Sequence, residues 1–134
     1  MTKIINIEGI GPVYAKKLQE AGINSVELLL KEGSTPKGRE DLAARTGIDK
    51  GLILEWVNHA DLYRIKGVAE EYSDLLEEAG VDTVVELATR KPENLHAKIL
   101  EVNASKNLVR RPPSLAQVEK WVEEAKTLPR AVHY

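Results

Sequence analysis

The chain contains no cysteine and few aromatic residues. Among its 134 residues there are two tryptophans, four tyrosines and no phenylalanine. Without cysteine, disulfide bonds and thiolate metal sites are excluded. Cysteine usage therefore gives no indication of whether the protein works in an oxidising or a reducing compartment. With so few rings, recognition of single-stranded nucleic acid by base stacking has few platforms. Leucine, isoleucine and valine must therefore form most of the core.

Long apolar runs and a strong charge imbalance are also missing. No stretch approaches the roughly 18 consecutive apolar residues of a membrane span, and the amino-terminal residues lack the apolar core of a signal peptide. The formal net charge is -2, with 30% charged and 43% hydrophobic residues, an ordinary globular balance. We therefore predict a cytoplasmic protein with no membrane partner, whose net charge gives no global attraction for nucleic acid.

A repeat with a period of 58 residues is the strongest pattern that is present. Residues 7–29 return without gaps as residues 65–87, and nine of the 23 aligned pairs are identical. Such a period is typical of one supersecondary unit used twice. A unit of this size buries only about 60% of its unfolded surface, so we expect the two units to pack together or to dimerise. The identical pairs are Ile7/Ile65, Gly9/Gly67, Tyr14/Tyr72, Leu18/Leu76, Glu20/Glu78, Ala21/Ala79, Gly22/Gly80, Val26/Val84 and Leu29/Leu87.

Helix signals follow one another along the whole chain, and strand alternation is almost absent. Capping pairs three residues apart predict three helix starts, and Pro129 predicts the last helix end. A turn-rich loop is expected at residues 33–38. The capping pairs are Asn24/Glu27, Thr83/Glu86 and Ser114/Gln117. The predicted helices are 12–21, a short helix ending near 31, 40–45, 50–60, 69–79, 83–89, 93–103 and 115–127.

These elements predict an all-α fold made of two tandem four-helix units, at residues 1–61 and 62–134. Residues 58–64 contain none of the Gly, Pro or Ser that a flexible linker carries, so we expect a stiff connection. Trp56 matches Trp121 at an offset of 65, so the second unit carries about seven extra residues. These extra residues are assigned to positions 105–113.

The segment at residues 7–15 resembles the hairpin of a helix-hairpin-helix motif. It reads Ile-Glu-Gly-Ile-Gly-Pro-Val-Tyr-Ala, a Gly-apolar-Gly turn that leads into a helix with a small residue, Ala15, at its fourth position. The layout of the first half is similar to the small helical domain that precedes recombinase cores and to sterile-alpha-motif-like folds. Nearly the whole chain also resembles an uncharacterised family, a domain of unknown function built from two such units. Segments 61–68, 94–98, 101–103 and 108–115 carry that second resemblance, which implies no activity.

The first hairpin has the features of a phosphate site. Glycines allow a close approach of the backbone, and amides at a helix start point toward an anion. Two lysines one turn further on add positive charge, so the sequence predicts contact with one phosphate of a DNA or RNA backbone. The other interpretation is a structural turn between packed helices, beside the acidic Glu8. The candidate residues are Gly9, Gly11, Val13, Lys16 and Lys17.

The second hairpin differs at the aligned positions. It carries Ala69, Glu70, Glu71 and Asp74, and carboxylates at a helix start satisfy the helix dipole and repel a phosphate. We therefore expect the second unit to retain the fold and to lack the phosphate contact.

Arg110 and Arg111 form a second basic spot, on the extra segment of the second unit. One interpretation is an exposed contact for an anion or a partner, with Lys98 and Lys106 nearby. The other is that the arginine stems cover the apolar ends of two helices. Loops carry function more often than helices do, so both arginines are kept as candidate nucleic-acid-binding residues.

Catalytic and cofactor motifs are missing from the sequence. His59, His96 and His133 fall on different predicted elements and are not interpreted as metal ligands. Neither a Gly-rich loop followed by Lys-Ser or Lys-Thr nor a nucleophile elbow is found. We predict a non-enzymatic protein with no cofactor, no metal and no small-molecule substrate.

Two functions of different class remain open. The first is weak, sequence-non-specific binding of a nucleic-acid backbone through the first hairpin, which predicts a strong salt dependence. The alternative is a module that binds another protein or a second copy of itself without any nucleic-acid role. That alternative predicts a salt-tolerant complex and an exposed apolar patch.

Overall fold

The computed structural model describes residues 2–134, apart from the side chains of Ala69 and Glu70. Within that range the chain forms eight α-helices and one short 3₁₀ turn, and no strand is present. The predicted all-α fold class is therefore confirmed. The chain divides into two compact units: unit 1 is Met1–Asp61 together with Ala131–Tyr134, and unit 2 is Leu62–Arg130.

Unit 1 contains the first half of the helices. After a 3₁₀ turn at Ile4–Asn6, its helices are α1 at Pro12–Glu20, α2 at Val26–Glu32, α3 at Pro36–Thr46 and α4 at Lys50–Leu62. The loop expected at residues 33–38 is wrong in its second half, because α3 begins at Pro36. The hydroxyl of Thr35 accepts a hydrogen bond from the amide of Gly38 at 3.1 Å, which caps α3 earlier than the apolar pattern indicates.

The start of α2 also differs from its prediction. Ser25, and not Asn24, is the capping residue, since its hydroxyl accepts a hydrogen bond from the amide of Leu28 at 3.1 Å. Glu27 does not complete a capping box with Asn24. Its carboxylate instead accepts a hydrogen bond from the amide of Thr2 at 2.8 Å. The side chain expected to act locally therefore binds the amino-terminal segment.

Unit 2 contains the remaining helices, which are α5 at Ala69–Glu78, α6 at Val84–Ala88, α7 at Pro92–Lys106 and α8 at Leu115–Thr127. The predicted capping box of α8 is confirmed: Ser114 accepts from the amide of Gln117, and the Gln117 side chain accepts from the amide of Ser114. Thr83 caps α6 by accepting from the amide of Glu86 at 3.3 Å. Local capping chemistry thus determines where α6 and α8 begin.

The extra residues of unit 2 are partly helical. Helix α7 continues to Lys106 and ends at Asn107, which adopts a left-handed backbone with φ of 51°. The loop then returns to the helix, because the Asn103 side chain donates to the carbonyl of Val109 at 3.1 Å and accepts from its amide at 3.0 Å. The segment that leads to Arg110 is therefore fixed by a pair of hydrogen bonds.

Each unit buries its own set of aliphatic residues around one tryptophan. Trp56 is 1% exposed and Trp121 is 3% exposed. The fully buried large residues of unit 1 include Ile4, Ile7, Leu18, Ile23, Leu29, Leu42 and Ile53. The core of unit 2 includes Leu62, Ile65, Val68, Leu75, Leu76, Val84, Leu87, Ile99, Val118 and Val122.

The last four residues of the sequence, 131–134, pack with unit 1. The structural division falls between Asp61 and Leu62, and the tail Ala131–Tyr134 is assigned to unit 1. No helix in residues 2–134 is long and apolar enough to cross a membrane.

Candidate nucleic-acid interface

The turn before α1 is held in place by a tryptophan. Gly9 has φ of +91°, a backbone conformation that residues other than glycine rarely adopt. A Cβ atom on Gly9 would lie 3.3 Å from the indole Nε1 of Trp56. Gly67, the aligned residue of unit 2, has φ of +90°, and its Cβ position lies 3.5 Å from Nε1 of Trp121. In both units the turn glycine therefore lies against the indole of the last helix.

Gly11 leaves the start of α1 open to solvent. It is the capping residue of α1, with extended backbone angles and no side chain to satisfy the first amides. Among the described residues, none beyond its chain neighbours comes within 4 Å of its Cβ position. In the part of the chain that the structure describes, no acceptor is recorded for the amides of Val13 and Tyr14. Helices α2, α3, α6 and α8 differ in this respect, because a Ser or Thr side chain caps each of them.

The lysines predicted to bind phosphate lie on the outer side of α1. Lys16 and Lys17 are exposed, and neither forms a salt bridge with any residue in the described range. The ammonium of Lys17 lies 6.0 Å from the centre of the Tyr14 ring, at the limit of a cation–π contact. Val13 is 68% exposed, although it is apolar. The structure thus places Gly11, Val13, Lys16 and Lys17 on one accessible part of unit 1.

A further cation, which the sequence analysis missed, lies near Lys17. Lys17 and Arg45 line the same open, polar depression of about 520 Å³, together with Glu20, Ala21 and Thr46. The Arg45 guanidinium donates to the carbonyl of Ala21 at 3.1 Å and to Asp41 at 3.0 Å. Because α1 and α3 are separate in sequence, only a contact prediction between helices would have found this neighbour.

The second hairpin has a different environment. The side chains of Ala69 and Glu70 lie outside the described part of the structure. The prediction that the Glu70 carboxylate repels a phosphate therefore falls outside the described residues. Glu71 is exposed, and the hydroxyl of Tyr72 donates to the carbonyl of Arg111 at 3.1 Å. Burial, followed by the charge of Glu71, raises the pKa of Tyr72, while Arg111 opposes the shift. An acidic and a basic side chain therefore both act on Tyr72.

Arg110 and Arg111 are exposed and belong to unit 2. Both are candidate nucleic-acid-binding residues from the sequence, and the structure places Arg111 beside α5 of its own unit. The start of α5 therefore has a basic residue, Arg111, close to its acidic side chains. The aligned positions of the repeat alone did not reveal this neighbour.

The histidines do not share one environment. His59 is buried, His133 is exposed, and the Nε2 of His96 lies 3.0 Å from the carbonyl of Pro113. Glu55 precedes His59 by four residues on α4, a helical pair spacing that the sequence analysis overlooked. His59 therefore has a carboxylate residue, Glu55, one helical turn before it on α4.

Comparison with known proteins identifies a family. The family model described as Domain of unknown function (DUF4332) matches residues 8–128. No curated protein matches the chain, and no solved structure does.

Proposed function

The chain belongs to the DUF4332 family, a domain of unknown function, and from its geometry we propose that unit 1 binds nucleic-acid backbone weakly and without sequence preference. The observation that carries the proposal is the open start of α1. There, uncapped amides and two exposed lysines without salt-bridge partners in the described range lie within two helical turns. In this proposal the turn is of the helix-hairpin-helix type.

The chemistry suits a phosphate group. The amides of Val13 and Tyr14 lie at the positive end of the α1 dipole, where an anion is favoured. Gly11 allows close approach, because its Cβ position is surrounded by open space. Lys16 and Lys17 supply charge that releases counterions when a phosphate binds. Such contacts position a backbone and carry no base information, so no sequence preference is expected.

The expected affinity is low. One hairpin makes few phosphate contacts, and non-specific binding lies at about 10⁻⁴ to 10⁻⁶ M at physiological salt. Glu8 and Glu20 lie in the same part of unit 1 and reduce the local positive potential. Arg45, which lines the depression beside Lys17, adds a cation that partly offsets them.

Fluorescence anisotropy with labelled duplex DNA, single-stranded DNA and RNA tests the proposal at low and at physiological salt. The double variant Lys16→Glu/Lys17→Glu should bind at least about tenfold more weakly than the unmodified protein. The slope of the log association constant against log salt concentration should become less steep, by about 2 in magnitude. Lys91→Glu/Lys120→Glu is the matched control, since both lysines are exposed, lie in unit 2 and give the same change in net charge.

Two results would reject the proposal. The first is no binding of any probe at micromolar protein in low salt. The second is an equal loss of affinity in the Lys91/Lys120 control, because that loss would follow from net charge and not from the hairpin. Circular dichroism of each variant verifies that the helices are retained.

A further inference from the structure

Unit 1 contains a site for an extended peptide, which the tail residues Ala131–Tyr134 occupy. The amide of His133 donates to the carbonyl of Ser34 at 2.7 Å. The carbonyl of His133 accepts from Nη2 of Arg39, also at 2.7 Å. The Tyr134 hydroxyl donates to the Asn58 side chain at 3.1 Å. Main-chain and side-chain groups of unit 1 thus bind both main-chain polar groups of His133 and the hydroxyl of the tyrosine that follows.

Arg39 is the centre of this site. It is only 4% exposed, and its second nitrogen, Nη1, donates to the carbonyl of Gly33 at 2.8 Å. Within the described residues no carboxylate pairs with this guanidinium, and burial lowers its pKa from the ordinary value. A buried cation without a paired carboxylate is costly unless its hydrogen-bond acceptors are well placed. The hydrogen bond to the His133 carbonyl therefore offsets much of the desolvation cost of burying Arg39.

The tail also contributes apolar burial and a ring contact. Val132 is 2% exposed, and removing its aliphatic side chain from water stabilises the docked tail. The Tyr134 ring lies 5.9 Å from the guanidinium carbon of Arg39, within cation–π range. Beside this ring a cavity of about 270 Å³ extends the site and is lined by Pro36, Leu54 and Lys50, among others. The site consequently contacts, in chain order, a valine side chain, a main-chain amide and carbonyl, and an aromatic hydroxyl.

We propose that this tail site of unit 1 also accepts the tail of a second copy of the chain, so that two copies associate by exchanging residues 131–134. The partner is identified by its chemistry, since a second copy carries the same valine, His133 main-chain groups and tyrosine at the same spacing. Residues 128–130, which join α8 to the tail, form no helix. Exchange of an identical element re-forms every tail contact in the dimer, so only the linker and the entropy of association oppose it.

A tethered tail competes strongly with a free one. A segment on a short linker has an effective concentration on the order of millimolar, so the exchanged dimer forms mainly at high protein concentration. This competition provides the first test. A fluorescent peptide with the sequence of residues 128–134 is titrated with the full chain and with the Val132→Asp chain, whose own tail no longer fits the site.

The peptide should bind the Val132→Asp chain at least about tenfold more tightly than the unmodified chain, because the intact tail blocks its own site. A control peptide with aspartate in place of the valine should not bind. Equal binding of the two chains, or equal binding of the two peptides to the Val132→Asp chain, would overturn the proposal. This experiment requires no substitution in Arg39 and so does not depend on the folding of an Arg39 variant.

A complementation experiment tests the dimer itself. The Arg39→Gln chain has an intact tail and a defective site, and the Val132→Asp chain has the opposite combination. Light scattering of an equimolar mixture should show a species of twice the 14.9 kDa chain mass that neither variant forms alone. A mixture that remains monomeric at millimolar concentration, with both variants folded by circular dichroism, would contradict tail exchange. Neither experiment contains nucleic acid, so failure here is independent of the hairpin proposal.

Discussion

The ring of Tyr14 lies 5.1 Å from the ring of Trp56, at an interplanar angle of 57°. Tyr72 and Trp121 form the aligned pair in unit 2, with 5.3 Å between the centroids and an angle of 49°. Each pair joins the first helix of its unit to the last one, and each indole also lies against the turn glycine. One tryptophan per unit therefore fixes both the hairpin turn and the helix that follows.

Gly9→Ala should destabilise the protein by about 1–2 kcal/mol. The positive φ is strained for alanine, and the new Cβ atom would be close to Nε1 of Trp56. Gly11→Ala is the matched control, because Gly11 has ordinary backbone angles and open space around it. Its change should stay within about 0.5 kcal/mol, since weaker capping and lower unfolded-state entropy oppose each other. Urea unfolding of both variants measures the difference, and equal losses would argue against this account.

Tyr72→Phe and Tyr14→Phe should differ in their effect on stability. Tyr72→Phe removes the hydrogen bond to the carbonyl of Arg111, which should cost about 0.5–1 kcal/mol. For the hydroxyl of Tyr14 no partner is recorded within residues 2–134, so Tyr14→Phe should be nearly neutral. Both variants retain the ring contact with tryptophan. Thermal or denaturant unfolding measures the two values, and a larger loss for Tyr14→Phe would contradict the assignment.

Alkaline pH should reduce stability partly through Tyr72. Burial and Glu71 raise the pKa of Tyr72 above its ordinary value of 10.0 in the folded state. The folded protein thus favours the neutral phenol, and the resulting stabilisation is complete below about pH 10 and decreases as the pH rises toward the folded pKa. Between about pH 9 and about pH 11, the unfolding free energy of Tyr72→Phe should fall less than that of the unmodified protein. Equal decreases in the two proteins would show that other groups dominate.

Ser114→Ala should destabilise α8 by about 1 kcal/mol, because the capping box loses the acceptor for the Gln117 amide. Ser105→Ala is a suitable control, since Ser105 is exposed near the end of α7 and does not cap a helix start. Its substitution should change the unfolding free energy by less than about 0.5 kcal/mol. The comparison is made by chemical denaturation at neutral pH. A loss no greater than that of the control would mean that packing alone determines where α8 begins.

The repeat predicted much of the helical order but not all helix starts. Pro12, Thr83 and Ser114 each act within one helical turn, so their effects could be read from neighbouring residues. The start of α2 could not, because Ser25 and Asn24 are both good capping residues. Which one caps depends on the backbone conformation at Ser25, and this is extended where Ser25 also forms a bridge with Lys3.

The candidate site shows the same division. The open start of α1 follows from Gly11 and Pro12, which are adjacent in sequence. The neighbour of Lys17 in the polar depression, Arg45, comes from another helix, and the contact of Arg111 with Tyr72 spans 39 residues. Local spacing carries no information about such pairs.

By itself the sequence determined the all-α class, the order of the helices, the turn glycines and the caps of α6 and α8, because these depend on φ, ψ and hydrogen bonds within a few residues. Only the tertiary structure decided that Arg39 is buried and that it binds the carbonyl of His133, 94 residues away. On an amphipathic helix an arginine is ordinarily exposed. Its burial depends on acceptors that the folded chain brings together, and no local pattern specifies them.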